Sequence, residues 1–116
     1  MIRPTTRDEA LRWLNDRVGR SVTLALSMDR GGWSIRPFAF IGVLKHLRVH
    51  GEDLAGAYTV GDEAGLNLSE VREDAFSIWE GGQHEELRIG VGEHAGIGVY
   101  VRRDDFASSR WVTSSP

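Results

Sequence analysis

Apolar residues recur along this chain with two different periods, and the change of period divides it. Over residues 6–18, Ala10, Leu11, Leu14 and Val18 follow one another at three- and four-residue steps, with Trp13 at the edge of the stripe. That spacing keeps side chains on one face of an α-helix. Thr6 followed three residues later by Glu9 forms a capping box, Asp8 and Glu9 suit the electropositive helix N-terminus, and Gly19 supplies a stop. Arg7, Arg12 and Asp16 are expected to face mostly outward. About three turns cannot stand alone in water, so the stripe must pack on other elements.

From Ser21 the period becomes two. Ser21 to Met28 alternates Val22, Leu24, Leu26 and Met28 with smaller or polar residues, the pattern of a half-buried strand, and Asp29 to Gly32 reads as its turn. The stretch from Arg36 to His50, RPFAFIGVLKHLRVH, is the longest nearly uninterrupted apolar run. Trp33, Ile35, Ile41, Val43, Leu47 and Val49 share one parity and Phe38, Phe40 and Leu44 the other, which predicts a strand buried on both faces or bent across a small barrel. Pro37 points to an edge or a strand start and Gly42 to a bend. Ile41, Leu44 and Leu47 also fit a helical spacing, but Gly42, Val43 and Val49 favour extended chain.

Beyond it come a turn at His50–Asp53, strands at 57–60 and 66–71 separated by a turn at 61–65, and a strand around Phe76, Ile78 and Trp79. Gly81-Gly82-Gln83 closes a hairpin into Leu87, Ile89 and Val91, and Glu93–Gly96 turns the chain into Ile97, Val99 and Val101. Short strands joined by Gly-rich turns predict a mainly β fold with one N-terminal α-helix, a small antiparallel β-barrel or roll. The chain reads as a single domain over 1–116: helix at 6–18, barrel at 21–102, and a polar tail at 103–116 whose Phe106 and Trp111 are expected to pack back.

Composition narrows the class. At 116 residues the chain suits one core rather than two. It lacks the run of about 18 apolar residues that a membrane helix needs, and its N-terminus lacks the features of a secretory signal. No cysteine is present, which removes disulfides, thiolate ligands and thiol nucleophiles together. A cytoplasmic location is expected. The net charge of −3 is unevenly spread: residues 1–50 carry nine Lys/Arg against four Asp/Glu, and residues 51–116 five against thirteen. In one compact domain the two halves are expected to attract each other within the fold.

Candidate chemistry is sparse. His46 and His50 would share an ion on a helix, but on a strand their Cα atoms stand roughly 13 Å apart, so no metal is expected. Asp62-Glu63, Glu73-Asp74, Glu85-Glu86 and Asp104-Asp105 are sequence neighbours, which point to opposite faces of a strand, and they read as solvated turns rather than acid/base pairs. No nucleophile elbow, phosphate loop or zinc-protease motif occurs. Gly90-x-Gly92 and Gly96-x-Gly98 flank a hairpin turn, where glycines relieve crowding. The expectation is therefore no enzyme, no catalytic residue and no cofactor. Arg36, Lys45, His46, Arg48 and His50 lie along the central stretch beside Phe38 and Phe40, an interleaving that suits a phosphate backbone with stacked bases. The acidic balance, with pI about 5.8, works against it.

A helix, then Gly19, then alternating Val22, Leu24 and Leu26, then Gly42 and Leu44, resembles the Sm-like family of small barrels. Glu63-Ala64-Gly65-Leu66-Asn67-Leu68 is similar to that family's acidic-x-x-Leu/Met-Asn-Leu signature. The resemblance implies an SH3/Sm-like barrel and makes Asn67 the RNA-base candidate. The family's Arg-Gly pair is not met, because Ile89 stands between Arg88 and Gly90. Taken together, these residues predict a non-enzymatic protein-interaction or assembly module that binds a protein partner or itself. The alternatives are an RNA-binding ring of Sm type and a small-ligand binder or enzyme. Arg36, Lys45, His46, Arg48, His50 and Asn67 are the candidate contact residues.

Overall fold

The computed structural model describes residues 2–30, 33–62 and 64–102, with the backbone path alone over 29–30 and 33–38. Eight strands and one α-helix alternate along it: β1 (Ile2–Thr5), α1 (Arg7–Asn15), β2 (Ser21–Arg30), β3 (Trp33–Val49), β4 (Glu52–Val60), β5 (Ala64–Asn67), β6 (Phe76–Glu80), β7 (His84–Gly92) and β8 (Ala95–Arg102). A single 3₁₀ turn, Glu73–Ala75, precedes β6. The strands form one antiparallel sheet in the order β1-β6-β7-β8-β2-β3-β4-β5. The mainly β class with one helix is as expected. The sheet does not close, since β1 and β5 stand at its two ends.

Capping sets the start of α1. Thr6 takes an extended conformation and its Oγ accepts the Glu9 N–H at 3.2 Å. The Glu9 carboxylate turns to Thr5 Oγ at 2.9 Å and Arg3 at 3.4 Å, and these bonds hold its pKa below the ordinary value. Ala10, Trp13 and Leu14 are buried, with Leu11 and Val18 packed against them. The helix ends at Asn15 rather than at residue 18, because the chain turns through Gly19 at φ 94° to enter β2. Arg7, expected to face outward, is half-buried: its guanidinium donates to the Val71 carbonyl and pairs with Glu73. β1 was not expected. It is short, and Pro4 is tolerated because β1 lies at the end of the sheet, paired on one side with β6.

β3 organises the rest. It is extended over all 17 residues, so the helical alternative for 41–50 does not occur. Trp33–Val43 pairs with β2, and from Leu44 onward the strand pairs with β4. The exchange of partners falls at the expected bend. Leu44 exchanges hydrogen bonds with the α1–β2 connection, accepting from Gly19 N–H at 2.8 Å and donating to Arg20 O at 2.9 Å. Gly61 N–H donates to Val43 O at 3.1 Å. A Cβ at Gly42 would lie 2.5 Å from Gly61 N, so only glycine allows the two strands to cross here. Near the start of β3, Arg36 and Pro37 together oppose Ser27, which makes a bulge. At the far end, His50 (φ 53°) and Gly51 (φ 82°) are both left-handed, the two-residue turn that suits a twisted hairpin, and β4 therefore begins at Glu52, ahead of the expected 57.

One face of the sheet supplies the core. Val22 and Leu24, Phe76 and Ile78, Leu87 and Ile89, and Val99 and Val101 meet Leu44, Tyr58, Val60, Leu66 and Leu68, with α1 laid between them. Full burial of one such aliphatic side chain contributes about 1.5–3 kcal/mol. Tyr58 donates its hydroxyl to Asn15 Oδ1 at 2.6 Å, and burial raises its pKa. The expected attraction between the charge halves is met by Arg7–Glu73, Arg17–Glu85 and Arg48–Asp53, each joining residues 1–50 to 51–116. Arg17 also lies over the Trp13 ring, 4.0 Å from its centroid. Among the described residues no helix is long and apolar enough to cross a membrane. The tail, with Phe106 and Trp111, and the turn residues Gly31 and Gly32 lie outside the described residues.

Candidate interaction surface

β3 is nearly twice the length of β4, and that mismatch creates an open edge. Among the described residues, Trp33–Ile41 has β2 on one side and no strand on the other. Val43 turns its carbonyl away from β2 toward Gly61, and strand alternation carries the same orientation to Ile41 and Ala39. Their N–H and C=O groups therefore line the open edge. Ile41 is the most exposed large apolar side chain described, at 76%, and Phe40 and Val43 are also exposed. Burial falls off in one direction along the neighbouring strands: Val22 and Leu24 are buried, Leu26 is half-buried and Met28 exposed, while Val99 is buried and Ile97 only partly. Among the described residues, β4, β5 and α1 pack at one end of the sheet and no element covers the β2–β3 end.

The expected contact residues do not converge. Arg36 lies in the bulge, where the backbone alone is described. Lys45 is exposed opposite Thr59. His46 faces the other way, half-buried, its ring 5.2 Å from that of Tyr58. Arg48 opposes Asp53 at 3.5 Å and also donates to Gly51 O, and His50 forms the turn. Asn67 Oδ1 accepts from the Ser69 N–H at 3.0 Å and its hydroxyl at 2.7 Å, so this oxygen shapes the turn after β5. Lys45 and His46 thus lie on opposite faces of one segment, Arg48 is engaged by Asp53 and Gly51, and Asn67 lies two strands away. Among the described residues no group of three His, Asp or Glu side chains is placed to hold a metal ion.

On the opposite face of the sheet from the core, Glu86 corrects an expectation. Its pairing with Glu85 in sequence predicts a solvated turn, yet both lie within β7, and Glu86 is only 3% exposed. Glu85 reaches Arg17, while Glu86 Oε1 accepts from Arg88 Nε at 2.7 Å. Gly98 on the adjacent strand leaves the space: a Cβ there would lie 2.5 Å from Glu86 Oε2 and 2.9 Å from the Tyr100 ring. The crowding expected around the glycine pairs is met at Gly98, and at Gly96 a Cβ would lie 3.3 Å from Ile89 O. Ser27, Ser77, Gly90, Gly96 and Tyr100 complete a shallow hollow of about 350 Å³ beside the pair. Trp79, His84 and Tyr100 run alongside, with ring centroids 4.6 and 5.6 Å apart. The legible signal was opposite charges at i and i+2 on a strand beside a glycine pair. No family model, curated protein or solved structure matches the chain.

Proposed function

We propose that this protein is a non-enzymatic interaction or assembly module that accepts an extended segment along the open edge of β3, and we read its curled sheet as a roll of the SH3/Sm-like sort. The observation carrying this reading is the orientation of Ala39 and Ile41. Both turn their backbone N–H and C=O groups outward in a stretch, Pro37 to Leu44, that contains no charged residue. Backbone groups of this kind take an added strand, with main-chain bonds giving affinity and neighbouring apolar side chains giving selectivity. Ile41 and Phe40 provide those side chains on the two faces. A random peptide library panned on the folded protein tests it, with Ile41→Pro as the counter-target. Proline there removes an outward N–H and no bond to β2, so the fold, checked by circular dichroism, is expected to survive. Peptides with alternating apolar residues are expected to be enriched on the parent and lost on the variant. Equal recovery on both would remove the edge from the function.

A further inference from the structure

We infer that the hollow on the outer face of β7 and β8 is a binding site for a free α-amino acid, with Glu86 taking its ammonium and Arg88 its carboxylate. This site lies apart from the β3 edge, with β2 between them, and neither depends on the other. The hollow follows from register. Gly98 stands beside Arg88 and Gly96 beside Gly90, and strand alternation puts all four on the face opposite the core. Three of these four lack a side chain, so two rungs of the ladder are stripped almost to backbone between Ser77 on β6 and Ser27 on β2. Crowding does not require all three glycines. A Cβ at Gly90 would meet nothing closer than the Ala75 carbonyl at 3.7 Å, an ordinary contact, and its φ is not left-handed.

Glu86 is the second observation. Its carboxylate is almost wholly removed from water yet only half engaged. Oε1 accepts from Arg88 Nε at 2.7 Å, while Oε2 lies over Gly98 with no hydrogen-bond partner among the described residues. The two terminal nitrogens of Arg88 have none there either, and that side chain is half exposed. Burying a carboxylate is costly, and a partner standing half in water offsets the cost only in part. A cation on Oε2 completes the pairing. The open groups are therefore one acceptor and two donors, held side by side by the Oε1–Nε bond. A lone ammonium would gain Oε2 and be repelled by Arg88, and a lone carboxylate would meet the reverse. An α-amino acid carries both charges on one carbon, so each meets its opposite in a charge-assisted bond. Ile2, Ala75, Ala95 and Ile97 also line the hollow and suit an aliphatic side chain. Its volume of about 350 Å³ lies at the lower end of the range for small-ligand sites.

L-Valine is the probe. Titrated at neutral pH into the isotope-labelled whole chain, it is expected to give saturable amide shifts centred on Gly90, Gly96 and Gly98. Isobutylamine and isovalerate each keep the branched chain and one of the two charges. Each is expected to bind about tenfold or more weakly, because one bond to a charged group is lost. Glu86→Gln is expected to weaken L-valine by a similar factor. Gly90→Val fills the hollow at a strand position that accepts a branched side chain, and is expected to keep the circular dichroism of the parent and lose the shifts. No saturable shift with L-valine, or shifts centred elsewhere, overturns the site. Either analogue binding as tightly as L-valine overturns the two-charge reading, a comparison made on the parent and so decided even if Glu86→Gln does not fold. A folded Gly90→Val or Glu86→Gln protein that binds like the parent overturns the placement.

Discussion

Gly42→Ala is the most direct test of the fold, because it acts where β3 changes partner. The added Cβ would meet Gly61 N at 2.5 Å, Gly61 Cα at 2.6 Å and the Val60 carbonyl carbon at 3.2 Å, all backbone atoms. Ordinary contacts need about 3.5–4 Å, so β3 and the end of β4 must separate by roughly 1 Å. Overpacking of this kind costs about 1–3 kcal/mol. The Gly61 N–H to Val43 bond, 3.1 Å, lies directly on the line of separation, and losing it adds about 1 kcal/mol. The reduced freedom of the unfolded chain returns about 0.4–1 kcal/mol. The expected net loss is about 1–3 kcal/mol, or roughly 4–15 °C in Tm for a domain of this size. Urea titration followed by tryptophan fluorescence reads it, with Gly82→Ala as the control, since a Cβ at Gly82 meets nothing within 4 Å. The control is expected to stay within about 0.5 kcal/mol of the parent. A Gly42→Ala protein as stable as that control would refute the close crossing.

Two further outcomes follow from the helix and from Tyr58. Thr6→Ala deletes the oxygen that accepts the Glu9 N–H and is expected to cost about 1 kcal/mol in urea unfolding, while Thr6→Ser restores most of it; equal losses in both would show that the cap contributes nothing. Burial raises the Tyr58 pKa, so its stabilisation is fully present below the unfolded value of about 10 and is lost as pH rises through the higher folded value. Tyr58→Phe is therefore expected to flatten the stability profile above about pH 10, and at neutral pH to cost up to about 1 kcal/mol through the lost bond to Asn15, both read from urea midpoints across pH; an unchanged alkaline slope would sink the assignment.

The parts of this fold legible in the sequence are those set by local pattern. Thr6 and Glu9 mark the helix start, alternation marks β2 and β6 to β8, and Gly42 marks the bend, because each signal acts within a few residues of itself. What escaped depends on residues far apart. Four residues with a proline carry no strand signal, and β1 forms because β6 offers it a partner 70-odd positions away. Glu86 sits beside Glu85 in sequence, yet its burial is decided by Gly98 on another strand and by Arg88. Asn67 looked like a contact residue because of the triplet around it, whereas its side chain is taken up by Ser69. The open edge was invisible for the same reason: it arises from a difference in length between β3 and β4, and β4 follows a turn at His50-Gly51 that was legible, with an extended stretch over 52–56 that was not.

That difference in length also bears on the proposed use of the edge. Exposed strand edges are a hazard, and proteins blunt them with short strands, prolines, bulges or charges. The ends of this sheet follow the rule: β1 has four residues and contains Pro4, and β5 has four residues. β3 is blunted only as far as Pro37. Past it, four residues run to Ile41 with two sets of outward backbone groups, no charge, and the most exposed aliphatic side chain described. One lysine in place of Ala39 would close this window at little cost to a strand already exposed there. The chain holds thirteen arginines and one lysine, and places none of them between Pro37 and Leu44. Among the described residues this window is open, and it is bounded by the bulge at Pro37 on one side and the Gly42–Gly61 crossing on the other, the form of a site of fixed length. A merely unprotected edge would have no reason to carry a stop at each end.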